Sequence, residues 1–233
     1  MSEIHHQTVE MGSVVLAIDS NYDEITVAAF HYRQIHLYPY LREKGFNIER
    51  CQGKLARRHY VASAARKQNV KYITGVGHGS EDTFTGDQGT PIFRIGNYDR
   101  EESDGKIIHF LSCKTALELG FDLVQHGCRA FFGYDVDFTV ILETPDIFFE
   151  CDSEIDRAFA DANNAEEVYN YTKQIYENRI KEYSDKWIEA LQSDNEREAQ
   201  ESEYIWKWLE VNLNHLCCPS INERWGDSQA KLE

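Results

Sequence analysis

Two short segments of this chain bring together residue types that can do covalent chemistry. One is Gly75-Val76-Gly77-His78-Gly79-Ser80; the other is Ser112-Cys113-Lys114-Thr115. Each follows an apolar run of strand type, 70–76 and 106–111. A thiol attacks only as its thiolate, and imidazole is the side chain best matched to take its proton near neutral pH. If the two strands are adjacent and parallel, His78 and Cys113 emerge side by side at one edge. Acyl transfer also needs N–H groups aimed at the developing oxyanion. Gly79, without a side chain, can turn tightly and present its amide. Cys113, read as the start of a helix over 115–126, supplies the second donor, and a helix N-terminus also lowers a thiol pKa. Taken singly, a cysteine after a strand is most often a small buried hydrophobe, and a histidine among glycines a loop residue. The pairing at matching strand ends is what points to chemistry. As a phosphate loop, 75–80 lacks the third glycine and the following helical pattern.

These segments need a frame. Residues 13–18 form a continuous apolar run, the pattern of a strand buried on both faces. Residues 27–44 read as a helix stopped by Gly45, 46–51 as a strand, 54–68 as a helix and 129–133 as a fifth strand. Strands separated by crossover helices predict an α/β fold with a mostly parallel sheet covered on both faces. Sites in such sheets form beyond the carboxyl ends of the strands. His109 alternates with Phe110 inside the fourth strand and reads as a core histidine. The stretch 81–105 is rich in Gly, Asp and Thr, so a mobile loop bordering the cleft is expected there, with Arg94 and Arg100 as self-cleavage points. Further on, Val168, Tyr171, Ile175, Tyr183, Trp187 and Leu191 recur at helical spacings, as do Tyr204, Ile205, Trp208, Leu209 and Leu216. A helical hairpin joined by the polar stretch 193–202 follows.

Charge suggests a division of the chain. Residues 143–233 hold 22 acidic and 9 basic residues, against 18 and 15 in 1–142. A boundary is expected near Thr144-Pro145, between a domain over 1–143 and an acidic helical extension over 144–233. The acidic surface suits solubility or a basic regulatory protein partner. A net charge of −16 argues against nucleic acid as a partner. No run of 18 apolar residues is present, so no membrane span is expected. The first eleven residues lack the basic start and apolar core of an export signal. The cysteines at 51, 113, 128, 151, 217 and 218 form neither a C-x-x-C pair nor a regular framework. Reduced thiols, a cytoplasmic setting and no structural metal are the expectation.

The stretches Tyr72-Ile73-Thr74-Gly75-Val76-Gly77-His78-Gly79-Ser80 and Ile107-Ile108-His109-Phe110-Leu111-Ser112-Cys113-Lys114-Thr115 together resemble the caspase-like (clan CD) cysteine peptidases. The gingipain-like and caspase–separase-related (CHAT) groups are the most similar. Their pattern is an apolar strand, His-Gly, a variable loop, then an apolar strand ending in Ser-x-Cys or Ser-Cys. The helix, turn and apolar strand of that pattern fit residues 119–134, and the likeness covers residues 12–142. The caspase motif Gln-Ala-Cys is absent, and Thr115-Ala116 stands where a glycine is common. The resemblance implies a caspase-like three-layer α/β/α sandwich carrying a helical hairpin. It implies a Cys–His dyad that maps onto Cys113 as nucleophile and His78 as general base and acid. It also implies an oxyanion hole from the backbones of Gly79 and Cys113, no cofactor, and a protein or peptide substrate. Cysteine endopeptidase is the expected activity, and a catalytically inactive scaffold or protein-interaction module is the alternative. Prokaryotic-type relatives often cut after basic residues, which needs carboxylates in the pocket because an unpaired buried charge is costly. Asp19 after the first strand, with Asp135 and Asp137 after the fifth, are the substrate-binding candidates.

Overall fold

The computed structural model describes residues 13–232; Glu233 and the leading twelve residues, on which the export-signal expectation rests, lie outside the described residues. Strand β1 (Val14–Asp19) leads to α1 (Glu24–Tyr32), which runs through a π-helical turn at Arg33–Leu37 into α2 (Tyr38–Glu43). Strand β2 (Asn47–Gln52), α3 (Arg58–Ala65) and β3 (Val70–Val76) follow. A small hairpin of β4 (Thr83–Thr85) and β5 (Pro91–Arg94) precedes β6 (Ile107–Leu111), α4 (Leu119–Gln125) and β7 (Ala130–Tyr134). The chain then forms α5 (Pro145–Ala160), α6 (Ala165–Gln192), α7 (Glu196–Asn214) and the short β8 (Leu216–Cys217).

The main sheet has the order β2-β1-β3-β6-β7-β8. Its first four pairings are parallel, and β8 joins β7 antiparallel. Side chains alternate across the sheet, as the period of two requires. Tyr72, Val76, Ile107 and Leu111 pack with α1, α2 and α5 on one face. Ile73, Ile108 and Phe110 pack with α3, α4 and the hairpin on the other. Helices on both faces explain why β1, β3, β6 and β7 are nearly continuous apolar runs. Among the described residues, no helix is long and apolar enough to cross a membrane.

Three expectations are corrected. The stretch 81–105 holds the β4–β5 hairpin, with Phe84, Ile92 and Phe93 fully buried. Phe84 stacks on Phe110 with ring centroids 4.1 Å apart. Three apolar residues are too few to show a period, yet enough to anchor a hairpin. The helix expected over 115–126 begins only at Leu119. The Glu118 and Leu119 N–H groups donate to the Glu81 carbonyl, and residues 112–118 are bends and turns. The boundary at 143/144 does not separate two cores. Helix α5 buries Phe149, Ile155, Ala158 and Phe159 against the sheet, and β8 extends that sheet. The α6–α7 hairpin rests on α5 through Phe148, Cys151, Tyr176, Ile205 and Leu209. Surface charge does not report which segments share a core.

Candidate active site

Parallel pairing of β3 with β6 in the register Val76↔Leu111 brings the two sequence segments together. Alternation beyond these ends puts His78 on the face of Val76 and Cys113 on the face of Leu111, the α1/α5 face. Both side chains line one cavity of about 100 Å³ at the carboxyl end of the sheet. Close approach here depends on glycine. A Cβ at Gly77 would lie 2.1 Å from the Thr85 carbonyl oxygen, and one at Gly79 would lie 2.3 Å from that of Cys113.

The partner of His78 is Asp23, which the sequence reading missed. His78 Nε2 lies 2.5 Å from Asp23 Oδ2. Asp23 is the N-cap of α1, and its Oδ1 accepts from the Thr26 N–H at 2.9 Å and hydroxyl at 2.8 Å. Burial alone would raise the Asp23 carboxyl, but the Thr26 N–H, His78 and the Thr26 hydroxyl outweigh it and hold it below its ordinary value. The contact assigns the ring proton to Nε2 and leaves Nδ1 as the basic nitrogen. Tyr22 packs edge-on to the ring at 5.9 Å. Asp23-x-x-Thr26 is legible as a capping box; nothing in the sequence pairs it with a residue 55 positions away.

Cys113 is the one cysteine of the six that is not buried, and all six are free. It is not at a helix N-terminus, since α4 starts six residues later, so the expected dipole effect on the thiol is absent. Burial, with Asp137 nearby, pushes the thiol above its ordinary value, although the Phe138 N–H favours the thiolate. No hydrogen bond joins the thiol to His78 among the described residues. The turn is pinned by Lys114 N–H to the Val136 carbonyl at 2.9 Å and Ala116 N–H to that of Tyr134 at 3.0 Å. Lys114 takes φ +60°, an uncommon backbone for a non-glycine residue. From the C-terminal segment, Trp225 Nε1 donates to the Ala116 carbonyl at 2.9 Å and Arg224 to that of Leu117 at 2.7 Å.

The pairing around Gly79 sets the direction of its N–H. Ser80 N–H donates to the Thr83 carbonyl and Thr85 N–H to that of His78, both at 2.9 Å. Gly79 and Phe84 are therefore a non-hydrogen-bonded antiparallel pair. The Gly79 N–H points away from the hairpin. Neither this amide nor that of Cys113 has an acceptor among the described residues.

None of the three expected pocket carboxylates lines the cavity, although Asp137 lies beside the Cys113 thiol. Asp19 is fully buried, with Oδ1 3.0 Å from Arg33 Nε and Oδ2 2.5 Å from the Tyr38 hydroxyl, so it does not serve a substrate pocket. Asp135 pairs with His215 at 2.8 Å, and Asp137 with Lys114 at 2.9 Å. Each follows a strand end, but strand ends fix only a position, and the side chain turns to the nearest cation.

Behind the cavity lies a buried ionic network. His109, a core histidine as expected, has Nε2 3.2 Å from Asp152 and Nδ1 3.4 Å from Asp156. Asp156 also accepts from the Tyr72 hydroxyl at 2.7 Å and lies 3.7 Å from Arg33. Burial alone would lower the His109 pKa, but Asp152 and Asp156 raise it to about 9. Burial would raise Asp156, but His109 and Arg33 hold it at about 2. This network ties α5 and the π-turn to β1, β3 and β6, and so fixes the strands that end in the site. Among the described residues, no group of three or more His, Cys, Asp or Glu is arranged to hold a metal ion. No protein-family model matches the chain, and no curated protein matches it at a significant level.

Proposed function

We propose that this chain is a cysteine endopeptidase in which Cys113 is the nucleophile and His78 the general base and acid. The observation that carries it is the meeting of His78 and Cys113 at adjacent parallel strand ends, beside one small cavity. His78 Nδ1 takes the thiol proton as Cys113 Sγ attacks the scissile carbonyl carbon. The Gly79 and Cys113 N–H groups receive the oxyanion. Asp23 steadies the imidazolium through Nε2. The imidazolium then protonates the leaving amine, and a thioester remains on Cys113. Water, deprotonated by His78, hydrolyses the thioester and restores the thiol. A caspase-like arrangement of the sandwich belongs to the same proposal, supported by the strand order and the motif positions.

A second reading, a non-catalytic interaction module, is favoured by the raised Cys113 thiol and its lack of a hydrogen bond to His78. The experiment is a peptide-library digest, with mass-spectrometric mapping of an electrophilic thiol probe. A peptidase gives cleavage and labelling selective for Cys113, both abolished by His78→Ala. Slow labelling that ignores His78, with no cleavage of any peptide, supports the module and overturns the peptidase.

A further inference from the structure

We infer that the cavity beside His78 and Cys113 receives one substrate side chain, that of the residue before the scissile bond, and that it selects an aliphatic residue of valine to leucine size. The setting of this inference is the peptidase proposal; the chemistry of the cavity is its own.

The walls are apolar. Ala29, Val76, Leu111 and Phe149 are buried, and half-buried Phe138 and Val140 with exposed Ile25 complete the apolar lining. The polar lining is confined to His78, Cys113, Ser112, Thr26 and the Gly77 backbone. No Asp, Glu, Lys or Arg side chain lines it. The nearest carboxylates are already engaged, Asp23 with His78 and Asp137 with Lys114. An arginine or lysine seated here would bury its charge without a partner, and an aspartate would do the same; either is costly. The acidic floor that cleavage after basic residues requires is not part of this cavity.

Size narrows the choice further. The cavity has a volume of about 100 Å³. Sites for whole drug-sized ligands start near ~300 Å³, so the cavity matches a single side chain better than a whole ligand. A cavity that accepts benzene measures ~150 Å³, so the space here suits a side chain with fewer heavy atoms than that ring. A branched aliphatic side chain fits in both size and polarity. Its burial takes apolar surface out of water and is favourable.

Two measurements test this. Matched peptides carrying Val, Leu, Phe, Arg, Lys or Asp before one scissile bond are compared by kcat/KM. Separately, Cys113 alkylation is timed by intact-mass spectrometry with iodoacetamides bearing an isobutyl or a guanidinobutyl group. Cleavage after Val and Leu at least tenfold faster than after Arg, Lys or Asp is expected, as is tenfold faster labelling by the isobutyl reagent. Ala29→Leu, which fills the cavity from α1, should erase the labelling preference while the melting curve confirms a folded protein. Equal labelling rates, a faster guanidinium reagent, or preferred cleavage after Arg or Lys overturns the inference and leaves the peptidase proposal intact. Isobutyl-selective labelling with no cleavage of any peptide upholds the pocket and sinks the peptidase instead.

Discussion

One carboxylate, that of Asp23, does two separable jobs, and replacing it by Asn and by Ala tells them apart. Its Oδ1 caps α1 by accepting from Thr26, while its Oδ2 faces His78 Nε2 at 2.5 Å. Asparagine caps a helix as well as aspartate does, so Asp23→Asn should keep stability within about 0.5 kcal/mol. Asp23→Ala loses the cap at a cost of about 1 kcal/mol, or about 2–4 °C in Tm for a chain of this size. In the proposed mechanism, both variants remove the negative charge that stabilises the imidazolium formed as the thiol proton moves. The His78 and Asp23 side chains are 46% and 33% exposed, so solvent weakens the pair. A loss of about 1–2 kcal/mol is appropriate, between an exposed ion pair and a charged hydrogen bond. That corresponds to a drop of roughly 5- to 30-fold in kcat/KM. The assay is peptide cleavage beside thermal unfolding on both variants. Equal activity losses with a stability loss in Asp23→Ala alone are expected. Wild-type kcat/KM in Asp23→Asn would refute the charge-stabilising role, and a stability loss in Asp23→Asn as large as in Asp23→Ala would refute the capping argument.

Other outcomes follow from the same geometry. Cys113→Ala should abolish cleavage and leave Tm within about 2 °C, because the half-buried thiol fills little core volume; residual turnover at the wild-type rate would exclude this nucleophile. Gly79→Ala should cut cleavage at least tenfold, since its Cβ would sit 2.3 Å from the Cys113 carbonyl oxygen and push the two site segments apart. Stability should depend on pH at both ends. The raised His109 contributes fully below its unfolded pKa of about 6.5, and this contribution is lost as pH rises through about 9, on the order of 3 kcal/mol. Asp156, held at about 2, contributes above about pH 4 and loses that contribution as pH falls through about 2. Urea unfolding from pH 2 to 10 should show a plateau between these limits; a curve flat from pH 6.5 to 10, or an alkaline limb that survives His109→Gln, would contradict this. Deleting 164–233 should give insoluble protein, because Val168, Leu216, Trp225 and Ala230 belong to the cores that hold the sheet; a soluble, folded deletion would show that the remaining layers stand alone.

The sequence by itself determined the alternating strands, because a strand buried on both faces must be a continuous apolar run, as 13–18, 70–76 and 106–111 are. It also determined that His78 and Cys113 follow two such strands, and that glycines flank the histidine where the chain must pass close to a neighbour. Tertiary structure decided what is set by contacts across long separations. Asp23 meets His78 only because α1 starts over the end of β3. Asp19 leaves the site because the π-turn delivers Arg33 to it across 14 residues. Helix α5, acidic in composition and assigned to an extension, forms a layer of the sandwich, since its Asp152 and Asp156 face buried His109 and Arg33 rather than solvent. The cavity walls come from α1, the 138–140 segment and α5 together. A local pattern reports how each segment meets its own surroundings; which segments become those surroundings is settled by packing, and in this chain packing sets the partner of His78 and the polarity of the cavity beside it.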